Sequence, residues 1–197
     1  MMAVFPARLT RLPLIVVAIS IACAHAIPVE ETPGSQSSAS RAPLTPQPMR
    51  VVGYFASWDV KSKGTRIADL PAKDLTHIYY AFAKIDSDGR VVLFDPCVDI
   101  GACVPPATAD SGGNFAALAR LKALNPHLKL AISIGGWTDS GRFSDAAFNE
   151  LSRRVFARTA IDLFIRQRPG LFDGIDIDWE FPVEGGLEGN VERPADK

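Results

Sequence analysis

The run "DGIDIDWEFP", Asp173 to Pro182, places Asp176, Asp178 and Glu180 at every second position of an apolar stretch. On an extended strand these carboxylates point one way at ~7 Å intervals. Ile175, Ile177, Trp179 and Phe181 then point the other way. Ionised carboxylates are costly to bury unless they are paired, hydrogen-bonded or protonated. Three on one face also raise one another's pKa values, so they cannot all ionise cheaply. One proton shared between Asp176 and Asp178 leaves Glu180 able to hold its own near neutral pH, as a general acid must. A solvated edge strand is the plain alternative. The bulky apolar face argues instead for a strand packed under helices, and clustered carboxylates of this kind mark sites. A calcium loop needs a glycine after its acidic residues; Phe181 stands there, so that reading fails.

Positioning such a face requires a sheet, and the rest of the chain has the rhythm of one. Four apolar runs read as strands: Val51 to Trp58, His77 to Ile85, Lys129 to Trp137 and Gly174 to Phe181. Phe115, Leu118, Leu121 and Leu124 mark a helix that ends at Asn125-Pro126. Phe148, Leu151, Val155 and Leu163 mark another, with Ser144 or Asp145 as its cap. Near-continuous apolar strands alternating with amphipathic helices imply an α/β fold with a helix-covered parallel sheet. A doubly wound sheet and a (β/α)8 barrel both fit that rhythm. Trp58, Gly135-Gly136-Trp137 and Glu180-Phe181 gather where strands finish, which is how a barrel builds an active site. No Gly-x-Gly-x-x-Gly follows a strand, so no dinucleotide cofactor is expected. A barrel takes eight strands and typically ~250 residues. The strands read here number four, so a TIM-barrel type with about its first four β/α units is expected.

The chain has 197 residues, 47% hydrophobic and 22% charged, with a formal net charge of -1. That suits about one domain. No basic patch or charge block appears, so nucleic acid and anionic membrane are poor partners and a neutral polymer fits better. Arg8 and Arg11, the apolar stretch Leu12 to Cys23 and Ala24-His25-Ala26 read as a secretory signal peptide over 1–26. Cys23 keeps a lipid-anchored variant open, although Ser20-Ile21-Ala22 leads into it weakly. Cleavage after Ala26 removes two arginines and no acids, taking the formal charge from -1 to -3. The stretch 27–48, rich in proline, serine and threonine, reads as a flexible linker. Cys97 and Cys103 then remain, and in an exported protein they read as a disulfide stapling "DPCVDIGACVPP". Two free thiols are the alternative; two cysteines alone give no metal site.

The acidic run also carries a resemblance. "DGIDIDWE" is similar to the D-x-x-D-x-D-x-E signature of the family 18 glycoside hydrolases, the chitinases and their relatives. "AISIGGW" resembles the S-x-G-G segment ending that family's third strand, while "VVGYFASW" and "LTHIYYAFAKI" resemble its first two. "GNFAALARLKALNPHLKLAISIGGW" resembles the bacterial-type chitinases in particular. On this resemblance, 49–197 is the N-terminal part of a catalytic domain. It implies Glu180 as the catalytic acid and later the base for water. Asp178 would orient the substrate N-acetyl group and stabilise an oxazolinium intermediate, with Asp176 as its hydrogen-bonded partner and Asp173 in a structural role. Tyr54 and Ser133 resemble residues supporting the aspartates, with satisfied interior hydroxyls as the alternative. Trp137 and Phe82 resemble cleft-lining surfaces, with core packing as the alternative.

The leader implies a secreted chain, extracellular or periplasmic, and the resemblance implies an endochitinase-type hydrolase that needs no cofactor and binds chitin or N-acetylglucosamine oligosaccharides. Most glycosidases set a second carboxylate across the sugar ring. Asp178 stands beside Glu180 on the same strand, which favours the substrate's own acetamido oxygen as nucleophile and a retaining, substrate-assisted reaction. A chitin-binding lectin is the non-enzymatic rival, but such relatives typically lack the acid that Glu180 supplies. An endo-β-N-acetylglucosaminidase acting on N-glycans is the enzymatic rival. The family's later strands carry a tyrosine and a tryptophan of the cleft with no counterpart here. The 197 residues alone are therefore expected to be inactive and poorly folded, or to pair edge to edge.

Overall fold

The computed structural model describes residues 49–103, 112–190 and 193. The chain divides into Met1–Met49 and Arg50–Lys197. The expected signal peptide and linker lie outside the described residues, and all the described strands and helices belong to the second unit. In chain order these are β1 (Val52–Ala56), α1 (Asp59–Ser62), β2 (His77–Ile85), β3 (Val91–Leu93), α2 (Pro96–Asp99), α3 (Gly113–Leu124), β4 (Lys129–Gly135), α4 (Phe143–Ala147), α5 (Glu150–Ile161) and β5 (Gly174–Asp178). Strands β1, β2, β4 and β5 lie side by side in that order, all parallel.

Alternation divides the sheet into two unlike faces. Phe55, Ile78, Tyr80, Leu130, Ile132 and Ile134 form one face and join Phe115, Leu118, Phe143, Phe164 and Phe172 from the helical layer in a single core. The other face carries Tyr54, Tyr79, Ala81, Ser133, Asp176 and Asp178. Small and polar side chains there make no second hydrophobic layer, and that face is left for chemistry.

The expected strands are present but shorter, apart from β2, whose bounds coincide with the reading. The first stops at Ala56, because Trp58 already opens α1. The third stops at Gly135 rather than Trp137, because Gly135 and Gly136 take φ of 103° and 81°, which breaks the extended run. The fourth stops at Asp178, opposite Gly135, where its parallel partner ends. One strand is additional to those expected. β3 pairs antiparallel with the end of β2 through a turn in which Asp86 Oδ1 accepts from the Asp88 and Arg90 amides. Its signal is Asp88-Gly89 followed by Val91-Val92-Leu93, an Asp-Gly hairpin signature.

The second expected helix is two helices. Neither Ser144 nor Asp145 caps α5; Asn149 does, accepting from the Ser152 amide while Ser152 Oγ accepts from the Asn149 amide. Phe148 precedes that cap and Leu151 lies on the outer side, so both are exposed, whereas Leu163 packs against the core. Leu124 is also exposed, at the last turn of α3. The back of β5 is only partly covered: Ile175 and Trp179 touch the core, but Ile177 and Phe181 are half exposed at the sheet edge.

Asp173 fastens the start of β5. Its Oδ2 accepts from Lys122 Nζ on α3 at 2.7 Å and from the Leu130 amide on β4 at 2.8 Å, and Lys129 Nζ lies 3.4 Å from Oδ1. Partial burial pushes this carboxyl up, but Lys122, the Leu130 amide and Lys129 outweigh it and hold it below the usual range. Its folded pKa lies below its unfolded value, so the native state binds fewer protons than the unfolded chain does. The stabilisation is full above about pH 4 and drains as pH falls through the folded value. Asp173→Asn should cost about 1.5–3 kcal/mol at pH 7, the range for hydrogen bonds to a charged group. Denaturant melts from pH 7 to pH 3 should show the gap to the parent closing at the acid end.

Candidate active site

The register stacks the inner face in rows. Tyr54 pairs with Tyr79, Tyr79 with Ala131 and Ala131 with Gly174; in the next row Ala81 pairs with Ser133 and Ser133 with Asp176. Asp176 Oδ2 accepts from Ser133 Oγ at 2.9 Å and from Tyr54 Oη at 3.2 Å. β1 and β5 are three strand positions apart, about 14 Å in a flat sheet. The Tyr54–Asp176 bond spans that separation because the sheet curls towards its polar face, in the sense a barrel requires. Burial and the Asp176 and Asp178 charges push the Tyr54 phenol well above its usual range, so it remains a donor.

Asp178 and Glu180 follow at the strand's C-terminal end. Burial, then the charges of Glu180 and Asp176, push the Asp178 carboxyl up to about 6. Glu180 lies two residues beyond the last rung of β5, so strand alternation does not place it, contrary to the sequence expectation. Instead the Gly136 amide donates to the Asp178 carbonyl at 2.8 Å, and the Glu180 amide donates to Ser140 Oγ at 2.8 Å. A Cβ on Gly136 would lie 2.5 Å from the Phe82 ring, so this turn needs glycine for space as well as for φ.

Trp58, Phe82, Phe94, Trp137, Thr138 and Glu180 line a cleft of about 510 Å³. Trp58 sits between two aromatics, its ring 6.1 Å from Phe82 and 6.3 Å from Phe94. Trp137 is half exposed rather than core, and Phe82 is partly covered. Such aromatic walls beside one carboxyl suit the flat apolar faces of a sugar. The structure therefore brings together Tyr54, Ser133, Asp176 and Asp178 on the sheet, and Phe82, Trp137 and Glu180 at its mouth. Asp173 stands apart, at the other end of β5.

Two contributors escape sequence reasoning. Phe94 follows β3, and no motif points to it. Ser140 lies in a 3₁₀ turn (Ser140–Arg142) whose only signal is a small polar residue a few positions after a strand end. Behind the cleft, Cys97 and Cys103 are bridged, with Cα atoms 4.9 Å apart. Among the described residues, no group of three or more His, Cys, Asp and Glu side chains is arranged to hold a metal ion.

The raised Asp178 carries a thermodynamic consequence. Its folded pKa exceeds the unfolded value of about 3.9, so the native state binds the extra proton between roughly pH 4 and pH 6. Stability falls as pH rises through that window, and above it the ionised carboxylate opposes folding. Asp178→Asn should melt higher than the parent at pH 7.5, by a few degrees after allowance for solvent screening. The difference should vanish near pH 4. Paired calorimetric scans of protein in which further strands close the sheet would check this, and a lower melting temperature at pH 7.5 would contradict it.

Comparison with known proteins identifies the family. The family model for glycosyl hydrolases family 18 matches residues 50–196. Chitinase A1 of Niallia circulans is 39% identical over 180 residues, covering 75% of this chain and 25% of that protein. Endochitinase 1 of Metarhizium robertsii is 34% identical over 143 residues, covering 70% and 33% respectively. Chitinase ChiA74 from Bacillus thuringiensis superposes with a TM-score of 0.68 at 36% identity, over 77% of this chain and 30% of that one. The catalytic domain of the psychrophilic chitinase B from Arthrobacter TAD20 gives 0.62 at 34%, over 74% and 44%. The chain spans about a quarter to a third of the length of these curated relatives. With its curled parallel sheet, α/β layering and acidic strand end, the chain belongs to the glycosyl hydrolases family 18.

Proposed function

We propose that this chain supplies the acid-bearing strands of a chitinase-like hydrolase that cleaves β-1,4-linked N-acetylglucosamine polymers with retention of configuration. The observation that carries the reading is the Glu180 carboxyl in the wall of an aromatic cleft, next to an aspartate whose own carboxyl is pushed up to about 6. Glu180 gives its proton to the glycosidic oxygen as the bond to the leaving sugar breaks. The acetamido oxygen of the retained sugar attacks C1, giving an oxazolinium ion. Asp178 accepts from the acetamido N–H and offsets the positive charge. Water then attacks C1, its proton passes to Glu180, and the acetamido group is released. Asp176 orients Asp178 and is itself held by Ser133 and Tyr54. Trp58, Phe82, Phe94 and Trp137 stack on sugar rings. A lectin has no use for the proton donor that Glu180 provides.

Residues 1–26 fit a secretory leader, which would place the protein extracellularly or in a periplasm, where the Cys97–Cys103 bridge is stable. Among the described residues β1 and β5 each lack a second strand neighbour, and the acidic face between them stays open. Hydrolysis therefore needs further strands to close that face around the acid.

In protein with the sheet closed, NMR early in chitin-oligomer hydrolysis should show the β-anomer forming first; initial release of the inverted anomer would sink the substrate-assisted step. Glu180→Gln should lower turnover by about 10²–10⁴-fold, the range for a general acid, with oligomer binding retained. Residues 50–197 expressed alone should melt without a sharp transition and fail to cleave a chromogenic chitobioside. A cooperative monomer with measurable turnover would show that no closing strands are needed.

A further inference from the structure

We propose that Ser140 is the positioning residue for Glu180, holding the acid's backbone where the sheet no longer does; this rests on Glu180 being the proton donor of the proposed hydrolysis. The parallel ladder ends at Asp178, so no strand fixes Glu180. Ser140 is almost fully buried, and its Oγ sits among three backbone groups from both strand ends. It accepts from the Glu180 amide at 2.8 Å and lies 2.9 Å from the Gly136 carbonyl and 3.1 Å from the Asp178 carbonyl.

A hydroxyl has one proton to give, so it donates to one of those carbonyls or is shared between them. Each carbonyl has another donor: the Gly136 amide serves Asp178 at 2.8 Å, and the Asp139 amide serves Gly136 at 3.3 Å. The Glu180 amide is the group that depends on Ser140. Removing the hydroxyl thus orphans the backbone of the one residue that must present a proton, while leaving both carbonyls bonded. Close packing hinders water from taking its place. A Cβ on neighbouring Gly141 would run into the Gly189 carbonyl, and one on Gly186 into the Glu180 carbonyl. The turn after β4 and the loop after β5 therefore meet closely at Gly141 and Gly189, and the loop folds tightly back on Glu180.

Two NMR signals in protein with the sheet closed test the proposal, and neither needs a sugar. In Ser140→Ala the Glu180 amide should exchange with solvent about 10- to 100-fold faster, matching loss of one buried hydrogen bond, while the Ile132 and Ile134 amides of β4 keep their protection. Release of Glu180 should also lower the titration midpoint of the Asp178 carboxyl carbon from about 6, because the Glu180 charge is one of the causes that raise it. Ser140→Thr, which keeps the hydroxyl, should restore both signals. Ser140→Cys, which fills the space with a weak donor and acceptor, should behave as alanine does. Glu180→Gln should lower the Asp178 midpoint without speeding exchange at position 180.

Unchanged Glu180 exchange in both the alanine and cysteine variants would overturn the proposal. So would faster exchange with the Asp178 midpoint left where it was, since the bond would then tie two loops together without placing the acid. Failure of the chitinase reading shows separately, as absence of oligomer turnover in the closed protein.

Discussion

The arrangement turns on one carboxylate oxygen. Asp176 Oδ2 accepts hydrogen bonds from Ser133 on the neighbouring strand and from Tyr54 at the far edge of the sheet. The first bond is local and would exist in any parallel pair of this register. The second joins the first and last strands of the order β1-β2-β4-β5, so it requires the sheet to curl towards its polar face. Curl and charge are thus linked: the polar face has a carboxylate for its donors to converge on, and the carboxylate has donors because the face is concave. Tyr54 is half exposed and its bond is long at 3.2 Å, so Ser133 is the firmer of the two supports.

Above that oxygen the sheet gives way to turns, and a different device takes over. Gly135 and Gly136 swing the chain off β4, which lets the Phe82 ring sit close and leaves the Gly136 amide free for the Asp178 carbonyl. Asp178 is held by its backbone while its side chain stands among like charges. Its raised carboxyl is a cost to folding that the surrounding core bears, as functional sites commonly require. Asp173, at the other end of the same strand, has the opposite balance. Cations and an amide surround it, and it contributes stability instead. One strand therefore carries acids of contrary sign for the fold, separated by what each faces.

The aromatic wall is held from behind. Asp99 is fully buried, accepting from Tyr80 Oη at 2.6 Å and from the Asp95 amide at 3.1 Å. Burial pushes its carboxyl up, although the Tyr80 bond opposes the rise. Asn114 on α3 donates to Tyr80 Oη at 3.0 Å and to the Ser57 carbonyl at 3.4 Å. Ser57 and Asp95 adjoin Trp58 and Phe94 in the chain. The bridged Cys97–Cys103 segment is thereby fixed to the back of β2, and two walls of the cleft are anchored through their sequence neighbours. The pairing of the cysteines was open to sequence reasoning; the anchoring carboxylate between them was not, since Asp99 reads as an ordinary loop acid.

Periodicity alone determined the α/β class, the four parallel strands and the outward apolar faces, because alternation and near-continuous hydrophobicity are properties of local sequence. It also singled out Asp176 and Asp178 as neighbours on one face, and the D-x-x-D-x-D-x-E resemblance singled out Glu180. What it could not determine lay where backbone leaves the ladder. The third and fourth strands ended early because two glycines took positive φ, a conformation that no pattern of apolar residues encodes. The helix cap fell at Asn149 because its bonds with Ser152 outcompeted the upstream candidates. Tyr54 reaching Asp176, Ser140 under Glu180, and Phe94 beside Trp58 all join residues far apart in the chain. Only tertiary structure decides such contacts, because they depend on how far the sheet curls and where its turns come to rest.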